Sequence, residues 1–153
     1  MKYPEFLSSA KRHNHACKVL KEKIDSLESN EGSDEEFKFL VLSLYYLSGY
    51  IIECSLKFKI FELSSYGLNL EINEEECLRA GIHYRSRIKT HSFTKLQDYL
   101  DSFISDISHE SDSIEINKLL SNWNPEVRYM HIDLKYDQIK ILYEHTSQFL
   151  KKM

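Results

Sequence analysis

Two basic pairs in this 153-residue chain have the residue types and spacing for phosphodiester chemistry. The first lies in Trp123-Asn124-Pro125-Glu126-Val127-Arg128-Tyr129-Met130-His131, where Arg128 and His131 are three residues apart and would share one face of a helix. A histidine moves protons near neutral pH. An arginine holds a phosphate with two donors and offsets its developing charge. Such a pair can cleave RNA without a metal: the 2′-hydroxyl attacks the phosphorus and a cyclic phosphate is left. The second pair, Arg85 and His91 with five residues between them, offers the same chemistry. The plainer alternative pairs Arg128 with an acid such as Glu53 or Glu126 and leaves His131 as an exposed polar residue. Arg85 is then surface charge, and His91 caps or precedes a helix that begins near Phe93.

Both candidates depend on charge placement. The net charge of −4 argues against indiscriminate nucleic-acid binding, but it hides an asymmetry. From Cys77 to Gln97 there is no acid, while Arg79, Arg85, Arg87, Lys89 and Lys95 fall there with His83 and His91. Asp25 to Glu36 carries six acids and no base. A basic segment in an acidic protein can hold phosphates, which makes Arg79, Arg87, Lys89 and Lys95 candidate RNA-binding residues. Tyr84 and Phe93 would add stacking surface for single-stranded bases. The alternative is a solvated loop paired with the acids of another helix.

Other chemistries find little support. No Gly-rich phosphate loop or Gly-flanked nucleophilic Ser is present, and no metal or cofactor is expected. His13 and His15 diverge on a helix, and Glu74-Glu75-Glu76 reads as a solvated first turn. Cys17, Cys54 and Cys77 show neither metal spacing nor an even disulfide framework, which suits reduced cysteines in the cytoplasm. The start, Met1-Lys2-Tyr3-Pro4-Glu5, does not read as a signal peptide.

Helices must position these residues. Four Gly and two Pro are too few for a turn-rich β fold, and the length suits one domain, residues 1–153. A first helix is expected from Pro4 to about Leu27, with Phe6, Leu7, Ala10, Cys17, Leu20, Ile24 and Leu27 in its stripe. Asn30-Glu31-Gly32-Ser33-Asp34 is a polar break, with Ser33 or Asp34 as the next cap. A second helix, about Glu35 to Ser64, carries the run Phe39 to Phe61 and ends at Tyr66-Gly67-Leu68-Asn69. Its uncharged part, Phe39 to Ile52, is too short for a bilayer, so a buried core helix is expected rather than a membrane span. Ser48 and Gly49 form a notch for close approach of another helix. Glu53, the acid within the run, is expected to be a buried partner of Arg128 or Lys57. Asn73 caps a short helix, Glu74 to about Ala80, closed by Gly81. His91 or Ser92 precedes an amphipathic helix through Phe93, Leu96, Tyr99, Leu100, Phe103, Ile104 and Ile107. A polar loop, His109 to Ser113, leads to a helix from Ile114 to Trp123. The last helix runs from Asp133 to Lys152, with Leu134, Ile139, Leu142, Tyr143, Phe149 and Leu150 inward. The expected fold is all-α, a four- to five-helix antiparallel up-and-down bundle.

The order of three motifs resembles the HEPN superfamily, small helical domains of prokaryotic toxins and defence proteins. The motifs are LSGYIIECSLK (Leu47 to Lys57), Thr90-His91-Ser92-Phe93 with Leu96, and Glu126-Val127-Arg128-Tyr129. The resemblance spans about Tyr45 to Asp133. It implies a HEPN-like bundle, usually a homodimer, whose active members are metal-independent endoribonucleases in toxin–antitoxin or phage-defence systems. It also implies a cognate antitoxin or a nucleotidyltransferase as partner. Active members carry an Arg, four to six residues, then a His. Arg128 matches that Arg by position, but His131 follows after only two residues. Arg85 and His91 keep the spacing but sit earlier. The alternative implied function is a non-catalytic dimeric bundle that binds a partner protein or nucleotide.

Overall fold

The computed structural model describes residues 1–29, 34–103 and 106–153. The expected polar break from Asn30 to Ser33, the Ser33 cap and Ile104 lie outside the described residues. Helix α1 spans Pro4–Ser29 and α2 spans Asp34–Leu63. α3 is Glu74–Arg79, α4 is Phe93–Asp101, α5 is Ile114–Asn122 and α6 is Tyr136–Leu150. A π turn at Tyr84–Ile88 precedes α4, and a 3-10 turn at Pro125–Tyr129 follows α5. Among the described residues there is no strand, only an isolated bridge between Lys2 and Glu71. The chain is all-α.

α1 buries Ala10, Cys17 and Ile24, one residue every two turns, and Tyr3 just before it continues the same inward stripe. Tyr3 stacks on Phe61 at 5.9 Å, and Cys17 meets Ser48 at 3.8 Å. The start of α1 therefore lies on the end of α2, and the two run antiparallel. α6 runs antiparallel to α1: Tyr136 hydrogen-bonds Asp25 near the end of α1, and Tyr143 donates to the Asn14 carbonyl. α2, about 45 Å long at 1.5 Å per residue, is the axis of the assembly. Every residue from Ile51 to Phe58 is buried, because α1, α4, α6 and the 3-10 turn cover it on different sides. The helix has the length and composition of a membrane span, but 61% of its most apolar window is buried inside the molecule.

Several boundaries differ from the sequence expectation. α2 stops at Leu63, where Ser65 adopts the left-handed conformation (φ 55°) and the Tyr66 amide returns to the Phe61 carbonyl. α4 stops at Asp101, not near Ile107. The chain instead folds back along α4, held by the Gln97 side chain, which donates to the Ile107 carbonyl and accepts from the His109 amide. α6 starts at Tyr136 rather than Asp133, and Leu134 packs on the core from the preceding segment. The long helices are α1, α2 and α6; the others are nine residues or fewer. The caps at Asn73 and Ser92 and the left-handed Gly81 (φ 75°) fall where the sequence places them.

Candidate functional site

Along one side of α2 the residues Tyr46, Tyr50, Glu53 and Lys57 recur at helical spacing and form a polar stripe in an apolar helix. Glu53 is only 4% exposed, and both carboxylate oxygens are used. Lys57, itself 8% exposed, donates to Oε1 at 2.7 Å, and His91 Nδ1 donates to Oε2 at 2.8 Å. A carboxylate only accepts, so Nδ1 carries the hydrogen and Nε2 is left for solvent or a ligand. The His91 side chain is 56% exposed. Its position follows from its place just before the Ser92 cap of α4, whose hydroxyl accepts from the Lys95 amide.

His91 opens onto a cleft of about 400 Å³, also lined by Phe93, His109, Asn117, Trp123 and Asn124. The cleft floor is built by an interlock with α2. The Trp123 indole lies over Gly49, stacks on Phe93 at 4.9 Å and donates from Nε1 to the Tyr46 carbonyl at 3.1 Å. Tyr50 meets the indole edge-on at 5.1 Å. The Ser48–Gly49 notch is thus divided. Ser48 faces α1 through Cys17, and Gly49 admits an indole ring rather than a helix.

The second histidine of the cleft was not a sequence candidate, because its surroundings read as a polar loop. His109 is 7% exposed. Gln97 fixes it: the amide nitrogen of Gln97 donates to Asp101 and to the Ile107 carbonyl, so its Oε1 accepts from the His109 amide and from Nδ1 at 2.9 Å. Burial lowers the pKa of His109 below the usual histidine value and keeps the ring neutral. The useful sequence signal would have been Gln97, an amide on the apolar face of an amphipathic helix.

The paired candidates separate. Arg128 and His131 do not share a helix: the 3-10 turn ends at Tyr129, and Met130 is extended (φ −92°, ψ 145°). Arg128 is held by tyrosines, not by Glu53 or Glu126. It donates to the Tyr46 hydroxyl at 2.8 Å, and its guanidinium lies 4.6 Å from the Tyr129 ring centroid. His131 is exposed in a separate depression with Phe39, Leu42 and Ile132, toward the start of α2. Arg85 and His91 also have different surroundings. The Arg85 amide is held by Glu74, and no hydrogen bond or ion pair joins the two side chains among the described residues. Arg128 and His91 lie on one side of α2. Their anchors, Tyr46 and Glu53, are seven residues apart, roughly 10 Å along the axis. The turn that carries Arg128 also borders His91 through Asn124, Pro125 and Glu126.

The basic segment is unevenly available. Arg79 is neutralised by Glu75 and Glu76 of its own helix. Arg87 lies 5.2 Å from the Tyr99 ring centroid and is exposed, as are Lys89, Lys95 and Arg85. The expected stacking residues are occupied: Phe93 is buried under Trp123, and Tyr84 is half-buried against Phe61. Tyr129 is 73% exposed, with the Arg128 guanidinium over its ring. The chain matches no family model, no curated protein and no solved structure at a significant level.

Proposed function

We propose that this protein is a HEPN-like RNA-acting domain, a metal-independent endoribonuclease or RNA-binding protein of a cytoplasmic toxin–antitoxin or phage-defence system, working as a homodimer. The observation that carries the reading is the Glu53–His91 pair: a buried carboxylate orients an imidazole that lines an open cleft and has one ring nitrogen without a protein partner among the described residues. That arrangement suits general acid–base chemistry. Exposed Arg85, Arg87, Lys89 and Lys95, in the segment that precedes and opens α4, suit a phosphate backbone. Arg128 and Tyr129, in the turn whose start borders His91, add a cation and an exposed ring. His131 has no part in this site.

The test is cleavage of single-stranded RNA by purified protein with and without chelator. Cleavage should survive chelation, leave cyclic phosphate ends, fall at least about 100-fold in His91→Ala, fall less in Arg128→Ala and persist in His131→Ala. Cleavage that is absent in every buffer, or untouched by His91→Ala, rejects the catalytic form.

A second reading is a non-catalytic bundle that binds a partner protein, an antitoxin or a nucleotidyltransferase. The exposed Phe39, Met130 and Ile132 around the depression at His131 favour it. Co-purification of a partner lost in Phe39→Asp, with no RNA cleavage by either protein, would select it.

A further inference from the structure

We infer that His109 is the second acid–base residue of the cleft, and that His91 and His109 flank a phosphodiester seated at the N-terminus of α4. The inference deepens the RNA-cleaving reading and rests on it. Three observations converge on this place. His91 and His109 line the same cleft, and each ring is fixed through Nδ1 by a side-chain oxygen, Glu53 Oε2 for one and Gln97 Oε1 for the other. Each therefore leaves Nε2 with no hydrogen-bond partner among the described residues. The first turn of α4, capped by Ser92, borders the same space at Phe93 and Thr94. Its leading amides have no intrahelical acceptors and favour an anion.

The two environments differ in the direction that acid–base catalysis needs. His109 is enclosed by the apolar edge of Phe93 and accepts no carboxylate, so its Nε2 holds a lone pair: this is the base. His91 is the more exposed ring and is held through Nδ1 by the buried Glu53 carboxylate: this is the acid. His109 Nε2 takes the proton of the 2′-hydroxyl as the 2′-oxygen bonds to phosphorus. The P–O5′ bond breaks, and the leaving O5′ takes the proton of His91 Nε2. The products are a 2′,3′-cyclic phosphate and a 5′-hydroxyl, and neither oxidant nor metal is consumed. The charged and titratable groups facing His109 are Glu110 beside it, Asp101 of α4 and His145 of α6. Those around His91 are Glu53 and Lys57 of α2 and Glu126 of the 3-10 turn.

The experiment has two arms on the intact protein. Uridine 3′-monophosphate is titrated while the imidazole Cε1–H signals of all seven histidines are followed by NMR. The signals of His91 and His109 should shift together with one binding constant, while those of His131 and His15 stay in place. In parallel, RNA cleavage is measured against pH for wild type and for His109→Gln, which keeps a donor for Gln97. Wild type should give a bell-shaped profile. His109→Gln should lose at least about 100-fold in rate, together with the acidic limb. If wild type cleaves no RNA but the nucleotide moves both signals, the nuclease reading fails and the two-histidine nucleotide site stands. If RNA is cleaved but His109→Gln keeps the rate and both limbs, or the nucleotide leaves His109 unmoved, this inference is overturned.

Discussion

Replacing Gly49 by alanine tests the interlock that builds the cleft. An added Cβ would lie 2.0 Å from Trp123 Cε2 and 2.1 Å from Nε1, whereas ordinary contact begins near 3.4 Å. The indole must retreat by about 1.4 Å, but it is wedged between Phe93 and Tyr50 and tied to the Tyr46 carbonyl. On helix propensity alone the substitution would stabilise α2 by about 1 kcal/mol. Against that stand about 1–3 kcal/mol for overpacking and about 1 kcal/mol for the lost indole hydrogen bond, with more if the ring is expelled. The packing terms win, and a net loss of about 1–3 kcal/mol should lower the Tm by roughly 3–10 °C for a chain of this size. Trp123 is the sole tryptophan, so its emission reports this site alone and should shift to the red. Adding Trp123→Phe should recover part of the loss, because the two sites are in contact. A Gly49→Ala protein that melts within about 1 °C of wild type, or higher, with unchanged emission would refute the packing argument.

Glu53→Leu should destabilise by about 3–5 kcal/mol because it strands the buried Lys57 ammonium, and Lys57→Met in the same chain should restore much of it; denaturant titration of the three variants decides. His109 and His13 both have pKa values lowered by burial, below the usual 6.5. The unfolded chain then binds more protons near pH 6, so stability is full above about pH 6.5 and is lost as pH falls through the folded values. Thermal melts from pH 7.5 to 5 should show this fall, and it should be shallower in His109→Gln. Burial pushes the Cys17 thiol up to about 12 and the Cys54 thiol up to about 11. A thiol reagent at pH 8 should therefore label them only on unfolding, and rapid labelling of the native protein would contradict their burial.

How much was legible in the sequence differs from element to element. The helices were, because Ala10, Cys17 and Ile24 repeat every two turns and because Asn73, Ser92 and Gly81 act on backbone groups within three residues of themselves. Glu53 was legible as a buried acid, since a charge inside an apolar run needs a partner, and Lys57 one turn on was the near choice. Arg128 with His131 failed because helical spacing was assumed for a segment whose 3-10 turn stops at Tyr129. The return of the chain along α4 was also hidden, because its hold is a side chain, Gln97, bonding ten and twelve residues ahead.

The sequence by itself determined that the chain is helical, where most helices begin, and that one long apolar helix forms the centre. These follow from periodicity and capping, which act over a few residues. Only the tertiary structure decided which polar groups meet. His91 reaches Glu53 across 38 positions, Arg128 reaches Tyr46 across 82, and Trp123 fits over Gly49. Such contacts depend on how three helices and two turns pack, and a buried carboxylate takes whichever donor that packing brings within hydrogen-bond distance. Here the packing brought a histidine and left the arginine to a tyrosine.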